Sequence, residues 1–244
     1  MPTLPRKLKK DAVAEAILEV RFDTSELGEL VVGKLASFDD WNSFPSNRLP
    51  LADIPAAIRQ ADPNLAYQPL LERRNPAVTR IVKVGDRVFS YHALTPYPGW
   101  EVLECELFRA IEFVFGAIDS FVATRLGLRY LNVLTPDHSV RSAEALNFSV
   151  QVAGRPLDTP LNLNYLRIRG EQHQAMSRIA SKEFVQGPAV NLSALIDIDV
   201  FTPPEFRSAD VTQATEWISK AHELLKEEFF SLLTDKLKEK LVED

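Results

Sequence analysis

Hydrophobic and polar positions alternate along residues 15–22, Glu-Ala-Ile-Leu-Glu-Val-Arg-Phe. Ala16, Leu18, Val20 and Phe22 fall on one side; Glu15, Ile17, Glu19 and Arg21 fall on the other. That pattern predicts a half-buried strand with one polar face. The period then lengthens. Leu27, Leu30, Val31, Leu35 and Phe38 recur at helical spacing, predicting a helix over residues 25–38 with Ser25 as N-cap. Residues 78–84 and 87–91 flank Gly85-Asp86, and glycine in the first place of a two-residue turn predicts an antiparallel hairpin. Residues 101–120 carry Leu107, Phe108, Ile111, Val114, Phe115 and Ile118 in a wide helical stripe, and residues 122–134 read as a long strand.

Between them, residues 39–77 are punctuated by six prolines and hold at most a short helix near 54–60. A loop of this length is either functional or packed over the core, and Trp41 with Phe44 points to packing. The second half repeats the alternation of strands and helix. A strand is expected at 148–152, a hairpin at 163–169 and 174–181 around Gly170-Glu171, and a further strand at 190–201. One long helix is expected over 212–241, capped by Asp210 or Thr212. Its end, residues 236–244, is free either to pack on another subunit or to lie in solvent. The fold class is therefore α+β: a mostly antiparallel, curved sheet with two long amphipathic helices on one face. Two related halves, 1–140 and 141–244, are expected within one continuous unit.

Parity names a candidate site. Arg125 and Arg129 fall on one face of their strand, opposite Leu126, Leu128 and Tyr130. Arg167 and Arg169 share a face of theirs, and Glu19 and Arg21 share the polar face of the first strand. Arg80, Arg178, Lys182 and Glu15 can join them. Guanidinium forks suit phosphate and carboxylate, so gathered on one sheet face these residues would bind an anion. The competing reading is a solvated face laced with cross-strand ion pairs. The corner Tyr97-Pro98-Gly99-Trp100 reads as a tight turn that Trp100 packs, or as an aromatic anchor in which Tyr97 and Trp100 meet a partner protein.

Charge and motifs narrow the chemistry. A net charge of -6 and a pI near 5.4 argue against a general nucleic-acid binder. The single cysteine, Cys105, permits no internal disulfide and fits a reducing cytoplasm. No stretch approaches the ~20 apolar residues of a membrane helix. His92, His138, His173 and His222 are scattered, so no metal and no cofactor is expected. No serine elbow, phosphate loop or dinucleotide fingerprint occurs.

Three segments carry a resemblance: 12–22, the Tyr-Pro-Gly-Trp-Glu run at 97–101, and Arg-Leu-Gly-Leu-Arg-Tyr-Leu-Asn at 125–132. Together they resemble a sporadically distributed, functionally uncharacterised bacterial family of about this chain's length. The resemblance implies a bacterial, cytosolic protein, and the patchy distribution implies an accessory system such as phage defence or toxin control. The first strand also resembles the Glu-x-Glu-x-Lys strand of triphosphate-tunnel enzymes. Here it reads Ile17-x-Glu19-x-Arg21, which lacks one metal-binding carboxylate and argues against Mg²⁺-dependent phosphohydrolysis.

Taken together, the sequence reads as a non-enzymatic protein-interaction component with a protein partner or a homo-oligomer. The alternative is an enzyme or sensor that binds a nucleotide or other phosphorylated anion on the arginine face.

Overall fold

The computed structural model describes residues 8–156, 160–185 and 191–242. In chain order its elements are β1 (Val13–Asp23), α1 (Gly28–Ala36), β2 (Ser46–Arg48), α2 (Ala56–Ala61), β3 (Leu71–Arg74), β4 (Arg80–Val84), β5 (Val88–Leu94) and α3 (Trp100–Ala117). There follow β6 (Val122–Leu134), β7 (Gln151–Val152), β8 (Arg155–Pro156), β9 (Asn162–Ile168), β10 (Gln174–Ser181), β11 (Ala194–Phe201), α4 (Val211–Ser231) and α5 (Asp235–Leu241). All strands except β7 and β8 join one nine-stranded sheet in the order β2-β3-β4-β5-β1-β6-β11-β10-β9. Every neighbouring pair is antiparallel.

The connectivity repeats about the central β1–β6 pairing. β1 is followed, after a long excursion, by β3, β4, β5 and α3; β6 is followed in the same way by β9, β10, β11 and α4. In each set the last strand pairs with the first. The repeat divides the chain between α3 and β6, earlier than the boundary at residue 140 implied by the sequence pattern. The reason is that β6 opens the second set instead of closing the first.

One face of the sheet carries the core. Leu18, Val20 and Phe22 of β1, Leu126 and Leu128 of β6, and Ile196, Ile198 and Val200 of β11 are buried there. Leu107, Ile111 and Val114 of α3 cover them, together with Ile218, Ala221 and Leu225 of α4. Each Leu, Ile, Val and Phe among them contributes about 1.5–3 kcal/mol when withdrawn from water. The period-two reading of β1 and β6 places these residues correctly.

The helix termini differ from expectation. α1 starts at Gly28 with Leu27 as N-cap and no capping side chain, so Ser25 lies outside it. Asp210 does cap α4, its carboxylate accepting from the Thr212 N–H. The expected helix 212–241 is broken after Ser231, and the Thr234 hydroxyl caps α5 by accepting from the Leu237 N–H. α5 folds back on its own chain: Leu237 and Leu241 are buried, and the Lys9 N–H donates to the Leu241 carbonyl at 2.7 Å. Among the described residues the C-terminal helix therefore does not project.

The proline-rich stretch contributes β2, α2 and β3 as well as packing. Trp41 is fully buried, its indole N–H donating to the Leu35 carbonyl at 2.8 Å, and it meets the rings of Phe38, Phe89 and Phe113. Arg59 of α2 ties this excursion to the β4–β5 turn through a buried ion pair with Asp86 at 2.7 Å. The expected strand at 148–152 is reduced to β7, which pairs only with β8. Among the described residues no helix is long and apolar enough to cross a membrane.

Candidate functional site

Because side chains alternate along a strand, the residues between the core positions emerge on the sheet face turned away from the long helices. On that face Arg21 lies opposite Arg125 across the β1–β6 pairing, and Glu19 lies opposite Gly127. Across β6 and β11, Arg129 lies opposite Asp199. The charges resolve into a bonded strip. Arg125 donates from Nη1 to Glu19 Oε1 and from Nη2 to Asp199 Oδ2, each at 2.8 Å. Arg21 Nε donates to the same Glu19 oxygen at 2.8 Å. Arg129 forks onto Asp197 at 2.7 and 2.6 Å. Two aromatic rings flank the strip: Phe201 lies 5.0 Å from the Arg125 guanidinium carbon and Tyr67 lies 5.1 Å from that of Arg21.

Gly127 makes this arrangement possible. The Arg125 guanidinium lies over residue 127, and a Cβ there would overlap its Nη1 and Cζ. Only glycine leaves the arginine flat between Glu19 and Asp199. Burial pushes the Asp199 carboxyl upward from its ordinary value, against the pull of Arg125 and Arg129. The bond to Asp197 holds Arg129 above the usual guanidinium range.

A second chain of polar contacts lies beside the first. His92 Nδ1 is 2.7 Å from Glu15 Oε1, and His92 Nε2 is 2.9 Å from Ser90 Oγ. The hydrogen bond to His92 lowers the Glu15 carboxyl, outweighing the opposing effect of its burial. Lys83 lies directly opposite Ser90 on β4, with its ammonium 3.7 Å from Glu72. Sequence reading left the direction of His92 open and passed over Ser90. The available signal was their spacing: two residues apart on one strand, they share a face.

Arg167, Arg169 and Arg80 do not join this face. Arg167 lies opposite Ala175, which is fully buried on the helix side. Its Nε reaches the buried Glu228 of α4 at 3.4 Å, and Arg169 pairs with Glu227 of the same helix. Tyr165 also donates to Glu228, at 2.8 Å. Arg80 forks onto Glu106 of α3. Arg178 does emerge on the open face, where it bonds Asn162 and the Phe184 carbonyl. Lys182 lies beyond the end of β10. Of the six predicted ligand-binding residues, the structure thus brings together Glu19, Arg21, Arg125 and Arg129 and puts Arg167 and Arg169 on the opposite side.

Tyr97 and Trp100 are half-buried and packed within the chain. Gly99 adopts a positive φ of 86° at the N-cap of α3, which turns the chain sharply into the helix. The Tyr97 hydroxyl meets that of Tyr130 at 2.9 Å, and the Trp100 ring stacks on His222 of α4. The two sequence motifs at 97–101 and 125–132 are therefore in direct contact. Burial pushes the Tyr97 hydroxyl to about 12 and the His222 imidazole down to about 3.

Two surface clefts, of about 600 and about 570 Å³, are lined respectively by Lys10, Asp11 and His138, and by Arg48, Arg59 and Asp86, among others. Neither lining includes an arginine of the open face. Among the described residues no group of three or more His, Cys, Asp or Glu side chains is placed to hold a metal ion. Comparison of the chain with protein-family models, with curated proteins and with solved structures gives no match.

Proposed function

We propose that the protein is an interaction component of a bacterial accessory system, of the phage-defence or toxin-control kind, and that it works as a homodimer joined through β9. The observation that carries this reading is an apolar stripe on an open edge. Leu166 and Ile168 of β9 are 49% and 75% exposed, and Met176, which lies opposite Leu166, is 38% exposed. β9 ends the sheet order, so among the described residues its outer side has no neighbouring strand. Sheet edges are ordinarily blunted by brevity, charge or proline. The far edge, β2, is blunted in this way, being three residues long and ending in Arg48. β9 is seven residues long, and its one charged residue, Arg167, is turned toward α4.

A second copy suits this edge. Two β9 strands aligned antiparallel about a two-fold axis form a self-complementary interface. Leu166 and Ile168 of both copies then meet on one side, and the sheet runs on from one subunit into the next. Sedimentation or light scattering over a concentration series tests the proposal. The wild type is expected to dimerise, and Ile168→Lys is expected to shift it to monomer with an unchanged circular dichroism spectrum. A wild type that stays monomeric at every concentration overturns it.

A second reading rests on Arg21 and Arg125, which face each other as like charges and both bond Glu19, with Arg125 also bonding Asp199. A phosphorylated anion would add an acceptor beside Arg21, whose bonded carboxylate is shared with Arg125. Pyrophosphate or a nucleotide should then raise the melting temperature of the wild type but not of Arg21→Ala; no shift with either ligand counts against this reading.

A further inference from the structure

We propose that Glu15, His92 and Ser90 form a nucleophilic relay for acyl transfer, with Ser90 as the nucleophile and a small activated carboxylic ester as the substrate class. The inference does not rest on the dimer, whose edge strand β9 lies at the far end of the sheet from β5.

The geometry has the order such chemistry requires. Ser90 and His92 are alternate residues of β5 on the face away from α3, and Glu15 reaches His92 from the neighbouring β1. The Glu15 carboxylate accepts the proton on Nδ1 at 2.7 Å, which leaves the lone pair of Nε2 toward the serine hydroxyl at 2.9 Å. A nucleophile, a base and an orienting acid within hydrogen-bond reach of one another define this class of site independently of fold. A serine that served only to satisfy its own polarity needs one partner, and neighbouring backbone usually supplies it. Here the serine meets an imidazole whose other nitrogen is held by a carboxylate.

Charge stabilisation has one candidate. Backbone N–H groups in the middle of β5 are committed to the ladders with β1 and β4, so a developing oxyanion must be met by a side chain. Lys83 is the cation directly across from Ser90. Ser90 and His92 lie on the face opposite α3 and α4 and are only 8% and 7% exposed, so only a small acyl group fits against the serine. Glu19 lies directly opposite Ser90 on β1 and carries the strip of carboxylates and guanidinium groups, which favours a small polar ester over a long acyl chain.

The step balances within the chain and its substrate. Ser90 Oγ bonds to the acyl carbon as its proton passes to His92 Nε2. The carbon–oxygen bond to the leaving alcohol then breaks, and His92 returns the proton to that oxygen. Water repeats the sequence on the acyl-serine, releasing the carboxylic acid and restoring the hydroxyl.

A fluorophosphonate probe followed by mass mapping tests this directly. The folded wild type is expected to gain one adduct, on Ser90, with loss of fluoride. Ser90→Ala should abolish labelling, and His92→Asn should slow it by at least about 100-fold. Absence of a Ser90 adduct after prolonged incubation overturns the proposal, as does labelling that is equally fast in His92→Asn. If His92→Asn fails to fold, Ser90→Cys in a Cys105→Ser background gives a second measurement. Alkylation of the introduced thiol should turn on well below the ordinary thiol pKa of about 8.5, and an ordinary profile overturns the relay.

Discussion

The imidazole of His222 lies flat on the indole of Trp100, with ring centroids 3.7 Å apart and planes within 5°. This contact joins the first residue of α3 to the middle of α4. It also takes the histidine out of water, and burial holds its imidazole down to about 3, well below its ordinary 6.5. In the unfolded chain the same ring takes up a proton near pH 6.5.

A pH dependence of stability follows. Between about pH 6.5 and 3 the unfolded chain binds a proton that the folded chain refuses. Stability is therefore full above pH 6.5 and is lost as pH falls, at a limiting slope of about 1.4 kcal/mol per pH unit from this residue. His138 and His173, also lowered by burial, act in the same direction. Urea unfolding at a series of pH values should show the decline, and His222→Phe, which keeps a ring on Trp100, should flatten it. Parallel curves for the two proteins would show that His222 contributes nothing.

A carbon added at Gly127 is expected to meet the Arg125 guanidinium. Gly127→Ala should push the Arg125 guanidinium, the far end of a flexible side chain, away from Glu19 and Asp199 and cost up to about 1 kcal/mol. Because both changes act on one network, Gly127→Ala combined with Arg125→Ala should cost less than the sum of the two singles. Additive losses in denaturant titrations would place the strain elsewhere.

The Arg59–Asp86 pair should behave as a buried couple. Its side chains are 8% and 6% exposed. Asp86→Ala leaves the guanidinium without a counterion and is expected to cost about 3–5 kcal/mol. Adding Arg59→Met should recover part of that loss. A single variant with an unchanged denaturation midpoint would mean that α2 and its loop detach without affecting the sheet.

Much of the fold was legible because local periodicity carries it. The alternation in residues 15–22 and the boundaries of β6 follow from side-chain direction alone, and Asp210 caps α4 as its sequence position implies. The candidate site was legible only within single strands. That Arg125 and Arg129 share a face follows from period two. Which face of β9 joins them depends on the register of β9, β10 and β11, and that register puts Arg167 beside Glu228. The acidic partners Asp197 and Asp199 show the same limit: they alternate visibly in β11, but nothing local says that β11 lies next to β6. β2 and β3 escaped detection because three or four residues cannot express a period. The break between α4 and α5 escaped because the apolar spacing continues across it, while the Thr234 cap interrupts the backbone.

The doubled connectivity has a consequence for cohesion. Each set of four strands and a helix leaves its first strand, β1 or β6, with a bare side, and the two bare sides meet antiparallel. The β1–β6 pairing is thus the one seam through which the two sets become a single sheet, so a break there would leave each set with an open edge. Residues 118–121 are the short connection that carries the chain from one set to the other.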